Sequence, residues 1–137
     1  MSLFQWGPTK LHSGILSKWR IDCDALSQED WESLAQLIAE RLVFGQVVGI
    51  PRGGTRLAQC LQQHVRASKT TLIVDDVLTT GTSMELARAG VNSPTTGVVV
   101  FARGPCPYWV TPIFLLQWPT TGPASGPCGL NRRRSAD

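Results

Sequence analysis

Two adjacent carboxylates, Asp75 and Asp76, close the run TLIVDD and are followed closely by Thr79-Thr80-Gly81-Thr82-Ser83. Burying unpaired carboxylates away from water is very costly, so an apolar strand that delivers two of them to its end must turn them toward a polar ligand, a cation or solvent. A glycine among hydroxyls just before a helix offers unpaired backbone N–H groups and the positive end of the helix dipole, an anion site suited to a phosphate. Acids beside a phosphate cradle match a sugar phosphate, with the carboxylates accepting from ribose hydroxyls and the loop holding the 5′-phosphate. No lysine follows the glycine, so this is not the P-loop pattern.

The rest of the chain must put these residues on one edge. Trp31, Leu34, Ala35, Ile38 and Leu42 recur at helical spacing, with Ser27 as N-cap and Asp30 three residues on, which predicts a helix from Ser27 to Leu42. QVVGI at 46–50 reads as a strand buried on both faces, PRGG turns the chain, and a helix from Thr55 to Val65 follows. TLIV at 71–74 is the next buried strand, ending at the acid pair. A short helix from Thr82 to Ala89 stops at Gly90, Thr96–Ala102 is a further strand, and a last strand is expected at 113–118. Strands alternating with helices predict an α/β fold, a mainly parallel sheet flanked by helices, with ligands at the carboxyl ends of the strands. Residues 1–118 form the expected single domain and 119–137 a Pro/Gly-rich and Arg-rich tail. Trp6, Trp31, Trp109 and Trp118 are read as core or edge packing, and His64 as an exposed helix residue.

At 137 residues folding can bury roughly 70% of the unfolded surface, so no disulfides are needed. Cys23, Cys60, Cys106 and Cys128 form no CxxC pair and suggest neither zinc nor redox chemistry. Of the net charge of +3, two units come from residues 131–137, so the body is close to neutral. Nucleic acid is therefore not the expected partner; a binder would carry a basic stripe across its fold, and the only cluster is Arg132, Arg133 and Arg134. MSLFQWGPTK has no signal-peptide pattern and no apolar run approaches the ~20 residues that span a bilayer, so the expectation is a soluble, cytoplasmic protein with no membrane partner.

VDDVLTTGTS resembles the phosphoribosyl pyrophosphate (PRPP) motif of the type I phosphoribosyltransferases. LHSGILSKWRID at 11–22 resembles the base-binding segment of orotate phosphoribosyltransferase, matching at Ser13, Gly14, Ser17 and Trp19, with His12 where that family carries a lysine. VVGIPRGGTRLA at 47–58 is similar to the family's pyrophosphate loop, and Arg103 falls on an arginine that contacts the base, although Ala102 replaces the acid beside it. The resemblance implies that Asp75 and Asp76 hold the ribose hydroxyls, Thr79, Thr80, Gly81, Thr82 and Ser83 the 5′-phosphate, and Arg52 with the Gly53 and Gly54 amides the pyrophosphate. His12, Ser13, Trp19 and Arg103 would shape the base pocket. Mg2+ would be bound mainly through PRPP, with no direct metal ligands, and a homodimer is the usual arrangement.

The family reaction is attack of a base nitrogen on ribose C1 with inversion and loss of pyrophosphate. Catalysis there rests on positioning and charge stabilisation, carried by Asp75, Asp76 and Arg52. Enzymes acting on 6-oxopurines carry an aspartate where this chain has Thr79, so an orotate-like base is expected. Twenty residues separate Gly54 from Asp75, too few for the lysine-rich mobile hairpin that closes over PRPP in the orotate enzymes. Arg66 and Lys69 lie in the short connection. The loss of that lid leaves a non-catalytic PRPP or nucleotide sensor as the alternative function, and an RNA-binding regulator using the arginine tail as a third.

Overall fold

The computed structural model describes residues 2–10 and 16–116, with backbone only for residues 9, 10 and 16–18. His12, Ser13, Trp118, Cys128 and the arginine tail lie outside the described residues.

The chain opens with an antiparallel pair, β1 (Phe4–Lys10) and β2 (Leu16–Ile21), followed by a 3-10 turn at Cys23–Ala25 and helix α1 (Gln28–Arg41). The Ser27 cap is a full capping box: its hydroxyl accepts from the Asp30 N–H while the Asp30 carboxylate accepts from the Ser27 N–H. Then come β3 (Gln46–Gly49), α2 (Thr55–Leu61), β4 (Thr71–Leu78), α3 (Thr82–Ala89), β5 (Thr95–Ala102) and β6 (Val110–Leu115). Strands β3-β4-β5-β6 form a four-stranded, wholly parallel sheet in that order.

One face of the sheet carries α1 and α2. Trp31, Ile38, Leu57 and Leu61 pack there on Leu72, Val74, Val98 and Val100. On the other face Met84 of α3, with Trp109, covers Ile73 and Val99. The near-continuous apolar runs of β4 and β5 follow from this double covering. Because α2 and α3 lie on opposite faces while both connections step to the next strand in the same direction, the two crossovers have opposite hands. Such connections are right-handed in about 98% of cases, so one of these two is of the rare kind. The β5–β6 connection holds no helix: residues 103–109 run back from Ala102 to the level of Gly97, which pairs with Val110. That return of five residues is about 17 Å, within reach of seven extended residues.

Several sequence expectations are corrected. The N-terminal hairpin is not among the expected elements, because 11–22 reads as a ligand-binding segment and the residues of β1 show no predicted element. The helix expected to Val65 ends as α-helix at Leu61 and finishes as a 3-10 turn, Gln62–His64. The last strand lies at Val110–Leu115 rather than 113–118. Trp31 and Trp109 are buried as expected, but Trp6 is 82% exposed, and His64 is half-buried rather than exposed.

Candidate functional site

The acid pair does not end its strand. β4 runs on to Leu78, and Asp75 pairs with Val99 of β5. What frees the carboxylates is a slip in the alternation of faces. Ile73 and Leu78 pack on the α3 side while Val74 and Val77 pack on the α1 side, so the phase changes across Asp75-Asp76. The acids also take over backbone donors, Asp75 Oδ1 accepting from the Asp76 N–H at 2.8 Å and Asp76 Oδ1 from the Val77 N–H at 2.7 Å.

Both acids open into a cleft of about 550 Å³ at the carboxyl edge of the sheet. Thr79, Thr80, Gly81, Thr82 and Ser83 form one wall; Ile50, Pro51 and Gly53 line it from the β3–α2 turn; Arg20, Ile21 and Arg103 complete it. Burial, and then the charge of Asp76 beside it, pushes the Asp75 carboxyl up to about 8. Burial, and then Asp76, likewise raises the Cys23 thiol, which stays protonated and packs in the core.

Gly81 is the N-cap of α3 at φ +86°, a left-handed conformation that costs a side-chain-bearing residue about 1–2 kcal/mol. It brings no side-chain cap, so the first-turn amides are left to face the cleft, with only a long contact of 3.4 Å from the Thr82 N–H to Thr80 Oγ1. Gly81→Ala is expected to lower the thermal midpoint by about 3 °C, on the order of 1 kcal/mol, and a Cβ there would make only ordinary van der Waals contacts with Pro107 and Leu78, which excludes a steric clash as the cause. A loss above roughly 10 °C in a thermal melt would contradict this.

The β3–α2 loop, where pyrophosphate binding is expected, differs from its sequence reading at Gly53, Gly54 and Arg52. A Cβ on Gly53 would strike the Asp76 carboxylate, so this glycine is required by close approach to the acid. The Gly54 N–H is taken by the Ile50 carbonyl at 2.7 Å, and a Cβ there would meet the backbone of Val74 and Ile50. Gly54 therefore seats the loop on the sheet and does not offer its amide to the cleft. The Pro51–Arg52 peptide is cis, and the Arg52 side chain is exposed at the rim rather than in the wall.

At the other end of the cleft, residues 84 apart in sequence meet. The Arg103 guanidinium lies over the Trp19 indole, 3.8 Å from the ring centroid, and Nη1 donates to the Trp19 carbonyl at 3.2 Å. Trp19 is backed by Phe4, which packs edge-on against Phe101. Sequence reasoning missed Arg20, which lines the cleft and is braced by Gln5 and Asp22. Its only signal was its position inside LHSGILSKWRID. Arg66 and Lys69 are far from the site. The connection that holds them sits at the amino edge, where the Arg66 N–H donates to the Phe44 carbonyl and the Gly45 N–H to the Thr70 carbonyl. From Thr71 to Asp76 is five strand residues, about 17 Å.

A parallel α/β sheet with an acid pair, a glycine-hydroxyl turn and a second glycine loop along its carboxyl edge defines the type I phosphoribosyltransferase fold, and this chain has it, with a shortened lid region. Among solved structures it is similar to orotate phosphoribosyltransferase from Aeropyrum pernix, at 25% identity and a TM-score of 0.59, covering 74% of this chain and 76% of that one. It is similar to UMP synthase from Leishmania donovani at 16% identity and a TM-score of 0.64, covering 83% of this chain but only 34% of that one. Orotate phosphoribosyltransferase from Mycobacterium tuberculosis aligns at 16% identity and a TM-score of 0.61, over 82% of this chain and 89% of that one. No family model and no curated protein sequence matches the chain. No helix among the described residues is long and apolar enough to cross a membrane.

Proposed function

We propose that this protein transfers a phosphoribosyl group from PRPP to a nitrogenous base, orotate-like rather than 6-oxopurine, in nucleotide synthesis or salvage. The observation that carries the reading is the convergence, in one cleft, of Asp75, Asp76, the Thr79–Ser83 turn, Gly53 and Arg103. The acids accept from the ribose hydroxyls, the turn and the first amides of α3 hold the 5′-phosphate, and the rim arginine Arg52 faces the departing pyrophosphate. A base nitrogen then attacks C1 from the Arg103 side, the C1–O bond breaks as pyrophosphate leaves with its electron pair, and the proton of the base nitrogen is lost to solvent.

Among the described residues no three acids, histidines or cysteines converge on a metal position. Mg2+, which keeps several waters and phosphate oxygens in its shell, would be held mainly by PRPP, with no direct ligand from the protein. When bound it supplies charge neutralisation to the pyrophosphate. A cytoplasmic homodimer goes with this reading.

The alternative, a PRPP or nucleotide sensor, is favoured by one observation: the 65–70 connection lies at the opposite edge of the sheet from the cleft and cannot close over it. Isothermal titration with PRPP and Mg2+, followed by orotate and then uracil, separates the two. PRPP binding with a base-dependent second heat and release of pyrophosphate is expected for the transferase. PRPP binding without pyrophosphate release for either base would favour the sensor, and no PRPP binding would sink both.

A further inference from the structure

The cleft wall holds two arginines, Arg20 and Arg103, and they are committed differently. Arg103 lies on the Trp19 indole and bonds its carbonyl. Arg20 belongs to the other face of the hairpin. Phe4 pairs with Ile21 and Trp6 with Trp19, so these four share one face of the ribbon, while Gln5 and Arg20, directly opposite each other, share the second. We infer that Arg20 binds the pyrophosphate of PRPP, so that the N-terminal hairpin brings to the leaving group a cation that Arg66 and Lys69, at the far edge of the sheet, do not. The inference deepens the proposed function and rests on the cleft being a PRPP site.

The bracing of Arg20 orients its charge without using it up. Nε donates to Gln5 Oε1 at 3.0 Å, and Nη2 stands 3.5 Å from Asp22 Oδ2. Gln5 is itself fixed, its amide donating to Asp22 Oδ2 at 2.9 Å and to the Ser2 carbonyl at 3.1 Å. Asp22 also accepts from the Asp24 N–H as cap of the 3-10 turn, so its carboxylate is shared and its pairing with Arg20 is loose. Among the described residues no hydrogen bond or ion pair takes Nη1, and the Arg20 side chain remains 47% exposed. The placement suits the leaving group. Cys23, three residues past Arg20, packs close enough to Asp76 for that charge to raise its thiol, and Asp76 abuts Gly53 of the β3–α2 turn. The segment from Arg20 to Cys23 thus runs beside the turn where pyrophosphate is expected. That turn offers little charge of its own, since the Gly54 N–H is taken by Ile50 and Arg52 stands at the rim. A guanidinium held by one edge presents its remaining N–H groups to phosphate oxygens in the fork geometry they favour.

The test is calorimetric titration of the full chain with PRPP and Mg2+ and, separately, with ribose 5-phosphate, which lacks only the pyrophosphate. Arg20→Gln is expected to weaken PRPP about tenfold, the loss of one charge-assisted contact, and to leave ribose 5-phosphate within about twofold. Asp22 keeps its bonds to Gln5 and Asp24 in that variant, so the hairpin should persist. Arg20→Lys, which keeps the charge and gives up the fork, should bind PRPP within about threefold of wild type. A lysine variant as weak as the glutamine one would assign the effect to hairpin packing and overturn the inference. So would an equal loss for ribose 5-phosphate, or PRPP affinity unchanged in Arg20→Gln while the wild-type protein binds. Failure of the wild-type protein to bind either ligand would instead overturn the reading of the cleft as a PRPP site, and this inference with it.

Discussion

Replacing both acids, Asp75→Asn with Asp76→Asn, is expected to reduce PRPP affinity by roughly a hundredfold or more while the protein stays folded. Above about pH 8, where Asp75 is ionised, hydrogen bonds to charged acceptors contribute about 1.5–3 kcal/mol each, and two would be lost or weakened together. The fold should survive because neither carboxylate supports the core. Each accepts the backbone N–H of the next residue, at 2.8 and 2.7 Å, and an asparagine carbonyl oxygen can accept the same bonds. Calorimetric titration with PRPP and Mg2+ reads the affinity and circular dichroism reads the fold. Affinity within threefold of wild type would remove the acids from the site. Loss of the native spectrum would contradict the claim that they serve ligand rather than structure.

The single change Asp75→Asn should stabilise the protein, and increasingly so as the pH rises. Unfolded, Asp75 ionises near its ordinary value of 3.8, whereas folded it ionises near 8 because it is buried beside Asp76. Between those values the native state holds a proton that the unfolded chain has released, so stability falls with rising pH across that window and is level outside it. Asparagine carries no such proton. The variant and wild type should therefore melt together near pH 4 and diverge toward pH 8. There the variant should be ahead by on the order of 2 kcal/mol or more, about 5 °C for a chain of this size. A gap that stays constant across the range, or one that narrows as the pH rises, would show that burial beside Asp76 does not control this carboxyl. Taken with the first prediction, the outcome would be a site that lowers stability in the empty protein to keep two acceptors ready for ligand.

Some of this was legible in short windows of sequence. The Ser27-Asp30 capping box, the buried runs of β4 and β5, and the α3 helix closing at Gly90 each follow from nearest-neighbour chemistry, and the structure has them, whereas β3, at the sheet edge, buries only Val47 fully and not both faces as its apolar run suggests. The Thr79–Ser83 turn needs its glycine for a backbone conformation that is local, so its role as a helix N-cap could also be read directly. The N-terminal hairpin could not, because β1 and β2 draw their register from pairing with each other, Phe4 opposite Ile21 and Trp6 opposite Trp19.

The amino-acid sequence by itself determined the alternation of helices and strands that follows the N-terminal hairpin, the parallel α/β class and which side chains stand at the carboxyl edge of the sheet. Tertiary structure alone decided what those side chains do to one another. It set the slip in strand phase that turns both acids to the cleft, the close approach of Gly54 to the Val74 carbonyl, and the seating of Arg103 on an indole 84 residues away. It also decided that α2 and α3 take opposite faces, and that Arg66 and Lys69 end at the wrong edge. The physical reason is range. Caps, turns and apolar periodicity are fixed by residues a few positions apart, whereas which donor is spent, which plane is stacked and which face a helix covers depend on groups that only the folded chain brings within a few ångströms.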